Sequence, residues 1–275
     1  MPAAYYDAHL HPAAPSLLGQ IDSILATCSE VGINRMVCNG TCPDDWATGL
    51  SLARTYPQIL PAVGLHPWKV QEAHPDWKEQ FLDCLDRGRA SVGEIGLDQW
   101  IRDYDSEQQK DAFCFQMKAA AERDLPVSIH CLQATGPLME LLRQLELPRR
   151  GFHIHAYSGS PDLINELIRL GAYFSFNAGQ IKPGRQKIRD CIRAVPKERL
   201  LIETDAPDFL PLPEHRMHTL QDPHLNHPAN LLAGYQAIAA LRSVDLEDLA
   251  EQVEINFLNY FGDPSAPFER PAATP

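Results

Sequence analysis

Short apolar runs rich in β-branched residues punctuate the chain at Ala4–His9, Arg35–Asn39, Leu60–Leu65, Ser91–Leu97, Val127–Cys131, Phe152–Ala156, Ala172–Asn177 and Leu200–Thr204. Runs of this length, bounded by turn or helical segments, read as buried strands. From Asp7 in the first to Glu203 in the last, the steps average about 28 residues, room for one strand, one helix and two short loops. Helical periods fill the gaps. Ser106-Glu-Gln-Gln109 has the spacing of a capping box. The helix it opens carries Phe113, Met117, Ala120 and Ala121 on one stripe and stops at Leu125-Pro126. A last helix shows Leu246, Leu249, Val253, Phe257 and Tyr260 and ends at Gly262. Eight strands alternating with helices predict a single-domain α/β fold, a (β/α)8 TIM barrel over residues 1–262. An open doubly wound sheet alternates similarly, but no GxGxxG or GxxxxGK[ST] loop follows the first strand. The Pro/Ala-rich stretch 263–275 reads as a tail with little capacity to fold alone.

Composition narrows the partners. The 275 residues carry 24 Lys and Arg against 36 Asp and Glu, a formal charge of −12. That balance excludes a broad basic footprint on duplex nucleic acid, while leaving room for a small pocket that takes one or two phosphates. Seven scattered cysteines without a CxxC pair suit a reducing cytoplasm. Cys38 and Cys42 read as unrelated thiols, Cys38 in the core. MPAAYYDAHLHP has neither the basic nor the apolar region of a signal peptide, and no apolar run reaches the ~18 residues of a membrane span.

The chemistry begins at Asp7-Ala8-His9-Leu10-His11. A strand puts alternate side chains on one face, so two imidazoles roughly 7 Å apart could grip one ion. An exposed strand with polar residues facing water would look the same. In a barrel, however, the site forms where strands end. The later strand ends supply His66 in VGLHPW, Glu94 and Asp98 in VGEIGLD, His130 in SIH, His155 in HIHAYSG, and Glu203 and Asp205 in IETDAPD. Imidazoles and carboxylates gathered at one rim suit Zn²⁺, Mn²⁺ or Mg²⁺, and a carboxylate can bridge two cations.

The series DAHLHP, GLHP, GEIGLD, IH, HAYSG and ETDAP resembles the TatD-type metal-dependent deoxyribonucleases of the amidohydrolase superfamily, in matching order from the first strand to about Gly262. The resemblance implies two divalent ions. One would be held by His9, His11, Glu94 and Asp205, the other by Glu94, His130 and His155, with Glu94 bridging where related barrels use a carbamylated lysine. It also implies that Asp205 accepts the proton of the attacking water, that His66 lies near the scissile phosphate, and that Glu203 lies near the water. The expected activity is hydrolysis of phosphodiester bonds in DNA, from a single-stranded end. Hydrolysis of a small ester, lactone or amide is the alternative enzyme reading, and a non-catalytic barrel subunit the third. Lys182 and Arg185 could touch further phosphates or simply be solvated.

Four places depart from the family pattern. His66-Pro67-Trp68 stands for HPH, His130-Cys131-Leu132 for HxR, Asn226-His227-Pro228 for NEP, and Gly96-Leu97-Asp98-Gln99-Trp100 for GLDYY. They leave the implied ligands intact and alter the substrate rim. The long segment 206–230, with His215, His218, His224 and His227, reads as a flap shaping the barrel mouth rather than as a third metal site. His153 reads as a packed core histidine one layer below His155, and His74 as a surface residue.

Overall fold

A strand buried on both faces needs apolar side chains at nearly every position, which is why these segments read as runs rather than alternations. The computed structural model describes residues 4–87 and 90–262, and the expected tail 263–275 lies outside the described residues. Its strands are β1 (Tyr5–Leu10), β2 (Ile33–Asn39), β3 (Ile59–Val63), β4 (Ser91–Asp98), β5 (Val127–Leu132), β6 (Phe152–Ile154), β7 (Ala172–Phe176) and β8 (Leu200–Ile202). All pairs are parallel and the spatial order is β1 through β8 without a reversal. The two edges meet: Asp205 N–H donates to His9 O at 2.9 Å and His11 N–H to Ala206 O at 2.8 Å. The sheet therefore closes into the expected TIM barrel, and an open doubly wound sheet is ruled out. Every residue of β1 is buried, His9 included, and His11 just past its end is half-buried, which removes the exposed-strand reading of these histidines.

The terminal helix Leu246–Phe261 seals one end of the barrel. Its Phe257, Tyr260 and Phe261 pack with inward-facing Tyr6, Val37 and Leu201. The Tyr260 hydroxyl donates to Val127 O at 2.7 Å and accepts from Val127 N–H at 2.8 Å, at the first residue of β5. That plug leaves the opposite end, where the strands finish, free for chemistry.

β6 and β8 each stop two residues earlier than the sequence pattern predicts. The chain bends where polar side chains must face the barrel mouth. Ala156 (φ 43°) and Asp205 (φ 54°) sit in the left-handed region just past these strands, a conformation costing a non-glycine residue on the order of 1–3 kcal/mol. Hydrogen bonds hold both: Ala156 N–H donates to Glu203 Oε1 at 2.9 Å, and Asp205 N–H to His9 O.

The helix Ser106–Arg123 buries Phe113, Met117 and Ala120 as its period predicts. Its cap differs. Asp105, not Ser106, is the N-cap, accepting from Glu107 N–H and Gln108 N–H at 3.0 Å each. A carboxylate is a strong acceptor next to the helix dipole, and this frees Gln109 for another task. Gln109 brackets the end of β4, accepting from Asp98 N–H at 2.9 Å and donating to Asp98 O at 3.0 Å. Two turns on, Gln116 does the same after β3, accepting from Leu65 N–H at 2.6 Å. One helix thus fixes the chain beside both His66 and Asp98.

Candidate metal centre

Glu94 on β4 is the hub. Its Oε1 lies 2.7 Å from His155 Nε2, 2.9 Å from His130 Nδ1 and 3.3 Å from His66 Nε2. Its Oε2 lies 3.3 Å from His9 Nε2 and 3.4 Å from His11 Nε2. Across the pocket, Asp205 Oδ1 lies 3.3 Å from His11 Nε2 and 3.7 Å from His9 Nε2, and Oδ2 lies 3.8 Å from His155 Nδ1. Residues far apart in sequence therefore converge, because β1, β4, β5, β6 and β8 all end at the same rim. A side chain at Gly96 would forbid it: a Cβ there would stand 2.0 Å from His130 O.

Ligand-capable atoms fall within 4.8 Å of one another in three groups: His9, His11 and Asp205; His66, Glu94 and His130; His9, His155 and Glu203. Neither ring nitrogen of buried His9 makes a hydrogen bond among the described residues, nor does Nδ1 of His155. Buried imidazole nitrogens left unpaired beside two carboxylates are costly unless something else binds them. The donor set fits divalent cations.

Partners outside the cluster select which nitrogen each histidine presents. His11 Nδ1–H donates to Asn39 O at 2.9 Å, leaving Nε2 to face the carboxylates. His130 Nε2 lies 2.8 Å from Asp98 Oδ2, leaving Nδ1 toward Glu94. A carboxylate behind a ligand histidine is a recurrent way to orient it and raise its basicity. His66 is different. Its Nδ1 accepts from Trp68 N–H at 3.1 Å, so the proton of the neutral ring sits on Nε2, and Nε2 is a donor rather than a metal ligand.

Charge follows from this packing. Burial would raise Glu94, but His155, His66, His9 and His130 hold it ionised well below the usual carboxylate range. Burial would lower His11, yet Asp205 and Glu94 push it up to about 9. His155 opposes burial in the same way and lies well above its ordinary value, chiefly through Glu94. For His66 burial wins, taking it down to about 4 and keeping it neutral.

Glu203 is held from behind. Its Oε1 accepts from Ala156 N–H at 2.9 Å and Asn177 Nδ2–H at 3.3 Å, and its Oε2 accepts from the Ser175 hydroxyl. Ser175 Oγ lies 2.6 Å from His153 Nε2, and Ser128 Oγ lies 3.2 Å from His153 Nδ1. His153 is buried, as expected, but it is a link in a hydrogen-bonded chain rather than inert packing. Asp7, expected on the face of His9 and His11, instead accepts from Thr204 Oγ1–H at 2.5 Å and Thr204 N–H at 3.0 Å, buckling β1 to the segment after β8.

Asp98 is the residue whose part the sequence left open. Besides His130, its Oδ2 accepts from Trp68 Nε1–H at 2.8 Å, and its Oδ1 accepts from Trp100 N–H at 2.7 Å and Ile101 N–H at 3.1 Å. Burial would raise it, but the His130 and Trp68 bonds hold it at about 2. Its place at a strand end was a visible signal; its partners were not.

Above these groups opens a cavity of about 770 Å³, with His11, His66, Glu94, His130, His155 and Asp205 on its floor. Trp68, Trp100, Leu132, Phe209, Lys182 and Arg185 line its walls. From the segment 206–230, Pro207, Asp208 and Phe209 reach the mouth. His215, His218, His224 and His227 belong to none of the ion-capable groups among the described residues.

A family model described as TatD related DNase matches residues 6–262. An Escherichia coli protein named as an uncharacterized metal-dependent hydrolase, YjjV, is 29% identical over 263 residues, covering 94% of this chain and 98% of its own length. The crystal structure of YjjV aligns over 96% of this chain with a TM-score of 0.88 and 28% identity. A protein of Erwinia tasmaniensis named 3'-5' ssDNA/RNA exonuclease TatD is 30% identical over 247 residues, 87% of this chain and 93% of its own.

Proposed function

This chain belongs to the TatD related DNase family, and from that premise we propose that it is a phosphodiesterase with two divalent metals that cleaves single-stranded DNA or free DNA ends. The observation that carries the reading is Glu94, a single carboxylate with imidazoles on both oxygens and Asp205 opposite. His9, His11, Glu94 and Asp205 would hold one ion, and Glu94, His130 and His155 the other. Zn²⁺, Mn²⁺ and Mg²⁺ all suit these donors. When bound, such ions acidify a water and neutralise charge on phosphoryl oxygens.

The chain's own groups do the rest. Asp205 takes the proton of the attacking water. Glu203, fixed by its donors to Oε1 and Oε2, orients that water against phosphorus. The oxygen–phosphorus bond forms as the ester oxygen on the far side departs. Neutral His66 offers its Nε2–H to a phosphate oxygen, since its Nδ1 is occupied by Trp68 N–H. Because the His cluster lies at the floor of the mouth, an extended strand reaches it more readily than a duplex does. Residues 1–262 form the catalytic unit on this reading, with 263–275 as an appended tail. Buried Cys28, Cys38 and Cys191 carry free thiols and suit a reducing cytoplasm; no helix among the described residues is long and apolar enough to cross a membrane.

The test is chelation followed by add-back of Mn²⁺, Mg²⁺ or Zn²⁺, with single-stranded oligonucleotides run beside small esters and lactones. Cleavage of the oligonucleotide should vanish and return with the metal. Cleavage that survives thorough chelation, or turnover confined to the esters and lactones, would sink the assignment.

A further inference from the structure

We propose that Trp68 is a stacking platform for an unpaired base beside the scissile phosphate, so that the site selects its substrate by the face of a base as well as by phosphate; this rests on the phosphodiesterase reading. The indole is 45% exposed and yet fixed at both ends. Its Nε1–H donates to Asp98 Oδ2 at 2.8 Å, and its backbone N–H donates to His66 Nδ1 at 3.1 Å. The ring stands edge-on to His66, with centroids 5.1 Å apart and planes at 84°, and lies 6.3 Å from the His130 ring. It therefore borders the cavity directly against two histidines of the floor.

An exposed indole held this rigidly loses little freedom when something stacks on it, which is the condition for efficient aromatic recognition. Nucleobases are the flat groups that accompany every phosphate of the proposed substrate, and any base offers a π-face. The same Asp98 that anchors the indole also orients His130 and, through Oδ1, the backbone of Trp100, whose side chain is 61% exposed on the same rim. One buried carboxylate thus sets the distance between the catalytic floor and the aromatic wall. Charge supports the same division of labour. The chain carries a net −12, Lys69 is engaged with Glu72 at 3.7 Å, and apolar Leu132 lines the cavity. Grip by stacking adds to what Lys182 and Arg185, on the same wall, offer to phosphates. A base inside a duplex is covered on both faces and must be unstacked first, so the platform also favours unpaired ends.

The experiment compares an oligothymidylate with a fully abasic tetrahydrofuran strand of the same length, using the metal-loaded protein and its Trp68→Ala and Trp68→Phe variants. Binding is read by fluorescence anisotropy and turnover by product release. The unmodified protein should bind and cleave the base-bearing strand about 5- to 150-fold better than the abasic one. Trp68→Ala should lose that margin, mostly in Kd and KM, on top of any loss common to both strands from the missing bond to Asp98, which Trp68→Phe shares. Trp68→Phe, which keeps a ring face but no Nε1–H, should retain most of it. Equal affinity of the unmodified protein for both strands overturns the proposal, as does an equal penalty from Trp68→Ala on both. Absence of turnover with base discrimination intact in the binding arm would instead count against the catalytic reading alone.

Discussion

Replacing Ser175 with alanine removes one hydroxyl from a buried chain that ends on Glu203, and its consequences can be sized in advance. A carboxylate only accepts, so Ser175 Oγ–H must donate to Glu203 Oε2. The Ser175 oxygen then accepts from His153 Nε2–H at 2.6 Å, and His153 Nδ1 accepts from Ser128 Oγ–H at 3.2 Å. Burial first, then His9 and His155, push His153 well below its ordinary range, so it serves as a neutral link. A hydrogen bond to a charged group contributes about 1.5–3 kcal/mol. If the bond acts by aiming Glu203 at the attacking water, its loss appears as a fall in kcat of about 10- to 150-fold, with KM and metal content little changed. The stranded His153 Nε2–H costs the fold about 1–3 kcal/mol, read as a lower Tm. His153→Leu interrupts the same chain one link earlier, so its effect on kcat should overlap with that of Ser175→Ala rather than add to it. The assays are steady-state kinetics on a single-stranded oligonucleotide and denaturant unfolding of both single variants and the double variant. A Ser175→Ala protein with lowered Tm but kcat within twofold of the parent would refute the argument and reduce the chain to packing.

Glu94→Gln takes the shared charge away from every imidazole it faces, so elemental analysis should find both ions lost, not one. Metal uptake must expel the His11 proton, whose pKa is about 9, and those of His155 and His130, which are also raised; affinity should rise by at least about tenfold per pH unit between pH 7 and 9, with proton release visible by calorimetry in buffers of different ionisation enthalpy. The sign reverses for the metal-free fold. His11 has a folded pKa above its unfolded value, so its stabilisation is complete below about 6.5 and is lost as pH rises through about 9, and the metal-free Tm should fall over that window. Phe257→Ala, in the helix that plugs the barrel, should cost about 3–5 kcal/mol in denaturant unfolding with the His–carboxylate cluster still able to take up metal.

Much of the centre was legible before any coordinates. The near-regular spacing of apolar runs implies a barrel, because a strand buried on both faces must be apolar throughout while the helix covering it need be so on only one stripe. Once a barrel is accepted, strand ends share a rim, which gathers His9, His11, His66, Glu94, Asp98, His130, His155, Glu203 and Asp205, and the family resemblance implies the six metal ligands among them. Boundaries were less visible. β6 and β8 end early because Ala156 and Asp205 turn left-handed, and their bracing contacts come from other strands.

Hydrophobic period and residue type are local properties, and they suffice for the architecture, the end of the barrel that carries chemistry, and the side chains available there. Orientation is not local. Which nitrogen His66 presents depends on a backbone amide two residues away being folded back onto it, and His130 is aimed by a carboxylate on the neighbouring strand. Asp98 joining His130, Trp68 and the Trp100 backbone, Gln109 clamping Asp98, and His153 reaching Glu203 through Ser175 are contacts set by strand register and helix placement. Hydrogen bonds demand donor and acceptor within about 3 Å and well aligned, and only the closed barrel brings such distant residues to that distance.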